Sequence, residues 1–171
     1  NLTDFKVQQT YINGKLVADS GISLIERVPS EIVNNFNTSR KQVRDFVVDA
    51  EDDGAPVIRV IKALEGQLIT EELHEPAKLF DAKLISNTDN DVLKIAVVCR
   101  YNNAKPAAAF IRNFGLKRGA IASCVGHDSH NIIAVGVTDE DVCNAVNGII
   151  DHKGGISVAF DGNVDVLPLP V

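Results

Sequence analysis

A chain of 171 residues is long enough for one substantial core, or for one core with a small appended unit. Hydrophobic residues at 45% and charged residues at 23% are ordinary for a globular protein, and no apolar run approaches the ~20 residues of a membrane-spanning helix. The net charge of −6 argues against a general nucleic-acid or anionic-membrane surface, where counterion release rewards only a basic face.

Three cysteines, Cys99, Cys124 and Cys143, lie inside apolar runs. An odd number in that setting predicts buried free thiols in a reducing cytoplasm rather than a disulfide. The start at Asn1, in a sequence without methionine, predicts a processed or truncated product.

Residues 1–36 read as a ragged β segment. Val7–Ile12 is strand-like, Asn13-Gly14 is a two-residue hairpin signal, and Lys15–Ala18 returns. Asp19-Ser20-Gly21 turns the chain again into a short strand over Ile22–Val28, ended by Pro29. Residues 37–55 read as a linker. Within it Ser39–Phe46 predicts a short helix with Val43, Phe46 and Val47 on one face, and the acidic run from Asp49 to Asp53 reads as a solvated loop.

The main domain begins at Pro56. Val57–Lys62 and Gly66–Leu73 predict strands. Glu71, Glu72, His74 and Glu75 cluster there without the spacing of a compact metal motif, so a solvent-facing strand end is the better reading. Val92–Cys99 is apolar on both faces, as a central strand requires, and Ala107–Ile111 pairs back onto it. Lys117, Arg118 and Gly119 form a positive spot near the polar loop that follows, a candidate substrate or partner contact.

Thr138 then predicts a helix N-cap, with Asp141 completing a capping box and Asp139 and Glu140 favouring the positive helix start. Val142, Ala145, Val146, Ile149 and Ile150 form one apolar stripe over a helix at 139–153. His152 and Lys153 suit the carbonyl end, and Gly154 breaks the helix. Ile156–Phe160, the Asp161-Gly162 turn and Val164–Leu167 make a terminal hairpin.

The polar loop His127-Asp128-Ser129-His130-Asn131 interrupts the apolar runs Ala120–Val125 and Ile132–Val137. Three readings compete. Two histidines flanking an aspartate supply two or three metal ligands, with the further ligand of a catalytic site unassigned. Alternatively, Asp128 orients an imidazole as an acid–base pair, with Ser129 too poorly flanked to be a nucleophile. The bland reading is that Asp128 and Asn131 cap local backbone while the imidazoles bond between strands.

The stretch FGLKRGAIASCVGHDSHNIIAVGVTDEDVCNAVNGIIDHKGGISV, followed by DGNVDVLPLP, resembles the C-terminal domain of bacterial adenine deaminases in the amidohydrolase superfamily. GQLITEEL and DVLKIAVVCRYN extend the likeness upstream, and YINGKLVADSG resembles the strand pair that leads back into the small β-sandwich of such enzymes. The resemblance implies hydrolysis of adenine to hypoxanthine and ammonia, using a divalent metal (manganese, iron or zinc) in a (β/α)8 barrel. It also implies that the barrel lies before residue 1 and that this chain holds none of its metal ligands, so the chain alone is expected to be inactive.

The expected fold is therefore α+β: a mixed β-sheet domain over 56–171 with one capped amphipathic helix, preceded by a β-sandwich remnant over 1–36. The expected role is a lid or accessory domain, partnered by the barrel of its own polypeptide, in a homo-oligomer without nucleic acid or membrane. His127, Asp128 and His130 are the candidate catalytic residues; Ser129, Asn131, Lys117 and Arg118 are candidate substrate contacts. Two alternatives stand beside it: a non-catalytic subunit-assembly domain, and an independent metallohydrolase built on His127 and His130.

Overall fold

The computed structural model describes residues 3–26, 34–50 and 56–169. It falls into two units, Asn1–Glu31 and Ile32–Val171.

The first unit is an antiparallel meander of β1 (Gln9–Ile12), β2 (Lys15–Asp19) and β3 (Ile22–Ser23). Asn13 and Gly14 both take positive φ, at 50° and 76°, which is the twist a two-residue hairpin turn demands. The strand expected over Ile22–Val28 is shorter: only Ile22 and Ser23 pair, and residues 27–28 lie outside the described residues. Tyr11, Ile12 and Ile22 are exposed, since three short strands cannot bury their own apolar side chains.

The second unit is built on an eight-stranded sheet. Its strands are β4 (Val57–Ala63), β5 (Thr70–Pro76), β8 (Val92–Val98), β9 (Ala107–Arg112), β10 (Ala120–Ser123), β11 (Ile132–Gly136), β12 (Gly155–Phe160) and β13 (Asn163–Pro168). A small hairpin of β6 (Lys78–Phe80) and β7 (Lys83–Ile85) stands apart from the sheet in pairing. The sheet order is β13-β12-β10-β11-β8-β9-β4-β5. Every pairing is antiparallel except β4 with β9, so the sheet is mixed and the unit is α+β.

The helix α1 (Asp139–His152) crosses one face of the β8–β13 half. Thr138 caps it: its Oγ1 accepts the Asp141 N–H at 3.0 Å and donates to the Asp141 carboxylate at 2.8 Å. The expected stripe is buried, with Val142, Ala145, Val146 and Ile149 fully inaccessible against Ala96, Ala122, Ile132 and Ala134 of the sheet. At the far end Lys153, not the glycine after it, takes the left-handed conformation at φ 54°. Lys153 N–H bonds to Ile150 O and Gly154 N–H to Ile149 O, the two bonds of a Schellman close, while His152 Nδ1 donates to Gly148 O at 2.9 Å.

The helix expected over Ser39–Phe46 is only a 3-10 turn at Val43–Asp45. Its backbone is committed elsewhere at Lys41: Asn147 on α1 accepts the Lys41 N–H at 2.8 Å and donates to Lys41 O at 3.0 Å. Phe46 is buried in the core under α1 and Val43 is exposed, so the segment has one anchor instead of a helical face. Residues 34–50 thus belong to the second unit and are packed rather than linking. Residues 51–53 of the acidic run lie outside the described residues, while Asp49 bridges to Lys83.

The other half of the same sheet face is closed by different means. Val60, Val92 and Phe110 pack with Leu84 of β7 and with Val48, Ala50 and Ala77. The middle of this face is therefore covered, by α1 on one half and by β7 with residues 48–50 on the other.

Candidate functional site

Among the described residues of the second unit, the opposite face has no such cover. Register places Val97, Ile133, Ser123, Ile156 and Leu167 in one row across five neighbouring strands, and Ile95, Val135, Ile121 and Val158 in the next. Only a small cluster around Leu93, Ile111 and Val135 is buried on this side, with Ala63, Leu116 and Val137 at its rim. Exposure runs from 37% at Ile121 to 59% at Leu167, through Val97, Ile133, Ile156 and Val158. A concavity of about 300 Å³ lies in this face, floored by Ile121, Ile133, Val135 and Ile156 and walled by Phe114 and Val125. Isolated apolar side chains on a surface are unremarkable, but a contiguous patch of aliphatics marks a contact surface.

The polar loop sits at the rim of that concavity, because Ser123, Val125 and Gly126 line it and lead straight into His127. Three of its five residues are held by local contacts, and two are not. His130 has φ 52°, its N–H bonds to Gly126 O, and its Nδ1 bonds to Cys124 O at 3.3 Å. Asn131 Oδ1 accepts the Arg100 N–H at 3.2 Å, Ser129 Oγ accepts the Asn131 N–H at 3.4 Å, and Ser129 O accepts the Tyr101 hydroxyl at 2.7 Å. These three residues close the β10–β11 connection, which is chemistry that turns require. His127 and Asp128 contribute nothing to it. Their side chains are 93% and 86% exposed, with Nε2 of the imidazole 2.9 Å from the Asp128 carboxylate. In that contact Nε2 is the ring nitrogen that faces the carboxylate.

Lys117 and Arg118 are not beside this loop. Ala120 pairs with Gly136 at one end of β10 and Ser123 with Ile133 at the other, so the basic pair lies at the opposite end of the strand from His127. Both cations are engaged: Lys117 Nζ donates to Thr88 O at 2.6 Å, and the Arg118 guanidinium stacks 4.3 Å from the Phe160 ring. Sequence proximity misled here because a β-strand carries its two ends apart at ~3.3 Å per residue.

The acidic group around His74 is likewise dispersed. Strand alternation sends Glu71 to Lys62 at 2.7 Å, Glu75 to Arg112 at 2.6 Å, and Glu72 to His74 at 3.4 Å. Among the described residues no three His, Cys, Asp or Glu side chains converge to hold a metal ion. His127 and His130 therefore have no third ligand among them. Cys124 and Cys143 are buried and free, with Cys99 partly so. Cys124 Sγ accepts the Gly155 N–H at 3.1 Å, and the Cys143 thiol donates to Lys41 O at 3.3 Å, so both are structural. Among the described residues no helix is long and apolar enough to cross a membrane.

The open face escaped the sequence reading, although its signal was present. β10, β11 and β12 alternate two apolar sets, as Val92–Val98 does, yet the sequence supplies one long amphipathic helix to cover them.

A mixed sheet with one helix packed on one side and aliphatic side chains half-exposed on the other defines an α+β domain. Comparison with known proteins gives the family. Residues 67–171 match the model of the adenine deaminase C-terminal domain, and the chain belongs to that family. Along its whole length it is 42% identical to an adenine deaminase of Borreliella burgdorferi, 45% to one of Salinibacter ruber and 46% to one of a Sulfurovum species. It spans 31%, 31% and 30% of those relatives, respectively.

Proposed function

We propose that this chain works as the C-terminal accessory domain of an adenine deaminase, packed by its open sheet face on the amidohydrolase barrel of the same polypeptide. The observation that carries the reading is the bare aliphatic face, on a chain that spans less than a third of its relatives. A barrel segment of one protein is a fixed neighbour of constant composition, which suits an apolar and weakly charged surface better than a transient partner does.

The reaction of such an enzyme adds water across the adenine carbon bearing the amino group and expels ammonia, leaving hypoxanthine. A divalent metal (manganese, iron or zinc), which the barrel outside this chain would hold, would supply the activated water. The part of this chain is to cover the substrate and to hold a proton. With the concavity against the barrel mouth, the β10–β11 loop stands at the seam, and the apolar wall around it excludes bulk water. His127, oriented by Asp128, then keeps a proton available for the departing amine. His130, Ser129 and Asn131 hold the loop in shape and act through it. Net charge and buried free thiols suit a cytoplasmic enzyme, as purine salvage requires.

The experiment is mutagenesis of a full-length enzyme carrying this domain. Asp128→Asn and His127→Asn are expected to lower turnover by more than about tenfold with unchanged subunit number. His130→Ala lowers it similarly by releasing the loop. Ile133→Asp, on the open face, is expected to loosen the domain and raise its susceptibility to protease. Unchanged kinetics for all four variants would sink the lid role. The same face also suits pairing of two copies, and a changed subunit number in Ile133→Asp with intact turnover would assign it to assembly. Alone, the 171-residue chain is expected to release no ammonia from adenine with any of the three metals. Turnover in that assay would instead favour a self-contained metallohydrolase using His127 and His130.

A further inference from the structure

A second cavity, of about 470 Å³, opens between the 3-10 turn and the loop before β9. Four cations line it (Arg40, Lys41, Arg44 and Lys105) against the single carboxylate of Asp45. In a protein of net charge −6, this is a local inversion of sign. Asp45 is itself committed, accepting the Gln42 N–H at 2.8 Å, and Arg40 is paired with Asp151.

Lys41 is the informative member. It is 7% exposed, and its ammonium donates only to neutral oxygens, Asn103 Oδ1 at 2.6 Å and Ala104 O at 3.2 Å. An ammonium has three donors, and no carboxylate lies within ion-pair distance of this one among the described residues. Burial lowers its pKa, with the charge of Asp45 opposing, which is the mark of a cation short of counter-charge. Arg44 and Lys105 are exposed and make no ion pair within the described residues.

The walls are fixed in place. Asn147 clamps the Lys41 backbone on both sides, Ser39 Oγ donates to Asn103 Oδ1 at 2.8 Å, and Pro106 is buried at the rim. A cluster of cations on packed backbone differs from a fringe of surface lysines in that its geometry exists before a ligand arrives.

We propose that this cavity is an anion site for a phosphate group carried on a small molecule, read by Lys41, Arg44 and Lys105. A guanidinium fork and two ammonium groups match the several oxygens of a phosphate, which carries more charge than a carboxylate. The volume falls in the range of small-molecule sites and leaves room beyond the phosphate for an organic moiety.

The test uses the whole 171-residue chain at low ionic strength, with inorganic phosphate and adenosine monophosphate as separate probes. Binding is followed by calorimetry and by backbone amide shifts of Lys41 and Lys105. Both probes are expected to saturate below about 10 mM, with those amides shifting. Arg44→Ala with Lys105→Ala is expected to weaken binding at least about tenfold while leaving the melting temperature unchanged, because both side chains are exposed. Tighter binding of the nucleotide would support a phosphorylated metabolite, and equal affinity would support the phosphate group alone. Absence of saturation by either probe, or binding indifferent to the double substitution, would overturn the assignment. The result is independent of ammonia release, so failure here leaves the deaminase reading untouched.

Discussion

Asn147 offers the sharpest test of how the second unit is assembled. It is 4% exposed on α1 and its carboxamide makes a two-way clamp on Lys41, accepting the N–H at 2.8 Å and donating to the carbonyl at 3.0 Å. Asn147→Ala leaves the Lys41 N–H buried without an acceptor, which costs about 1–3 kcal/mol, whereas the carbonyl keeps the weaker Cys143 thiol as donor. Lost packing adds about 1 kcal/mol, and the better helix propensity of alanine returns roughly 0.6 kcal/mol. The net expectation is a loss of about 2 kcal/mol, or on the order of 6 °C in melting temperature for a unit of this size. Urea unfolding gives the free energy, and hydrogen exchange at the Lys41 amide gives the local readout. Asn144→Ala, half-buried on the same helix, is the control and is expected within ~0.5 kcal/mol of wild type. Equal effects at the two positions, with Lys41 exchange unchanged, would refute the clamp. A confirmed clamp also predicts weaker phosphate binding in Asn147→Ala, since Lys41 lines that cavity.

Three further outcomes follow from other contacts. Lys94 is 2% exposed and pairs with Asp139 in the first turn of α1. Asp139→Asn is expected to cost about 3 kcal/mol by leaving a buried cation unmatched, and Lys94→Met clearly less, both measured by urea unfolding. A side chain at Gly136 meets Ala120 Cβ at 2.5 Å and Val142 Cγ2 at 2.6 Å, so Gly136→Ala is expected to lose about 2 kcal/mol in the same assay. Burial raises the Cys143 pKa, helped by the charge of Asp45, so its neutral thiol contributes stability that is complete below the ordinary thiol pKa. That contribution is lost as pH rises through the raised pKa. Lys41 works in the opposite sense, because its lowered pKa makes stability rise with alkalinity. The expected sign is therefore read from a difference: Cys143→Ala should show a smaller alkaline loss than wild type in unfolding curves taken across that range.

Where sequence and structure agree, the information was local. Thr138 and Asp141 cap the helix that their spacing specifies, and Asn13-Gly14 makes the hairpin turn that its dipeptide specifies. Val92–Val98 is a central strand, as two apolar faces require. Where they part, the deciding contact comes from far along the chain. Ser39–Phe46 has helical spacing, but Asn147 lies 106 residues away and takes the backbone bonds that a helix would use. The β6–β7 hairpin was not foreseen, since Lys78–Phe80 and Lys83–Ile85 are too short to show a period. At the candidate site, composition singled out the loop but could not divide its members. Register and the Tyr101, Arg100 and Cys124 contacts separate the residues that build the turn from the His127–Asp128 pair that does not.

The asymmetry of the sheet explains why this division matters. Eight strands at ~4.8 Å spacing make a sheet far wider than the ~10 Å of one helix. On the closed face, α1 covers β8 to β13 and the β6–β7 hairpin with residues 48–50 covers the rest. Among the described residues of the second unit no second layer covers the other face, yet isoleucine and valine stand there in register across neighbouring strands. Leaving those side chains half-exposed forfeits a share of the ~1.5–3 kcal/mol that each would contribute if buried, so several of them together favour a permanent neighbour over solvent. A neighbour seated on Ile121, Ile133 and Ile156 meets Val125 and Gly126 at the same rim, and the next residue along is His127. The His127–Asp128 pair, which takes no part in closing the β10–β11 turn, therefore lies beside the rim of that concavity.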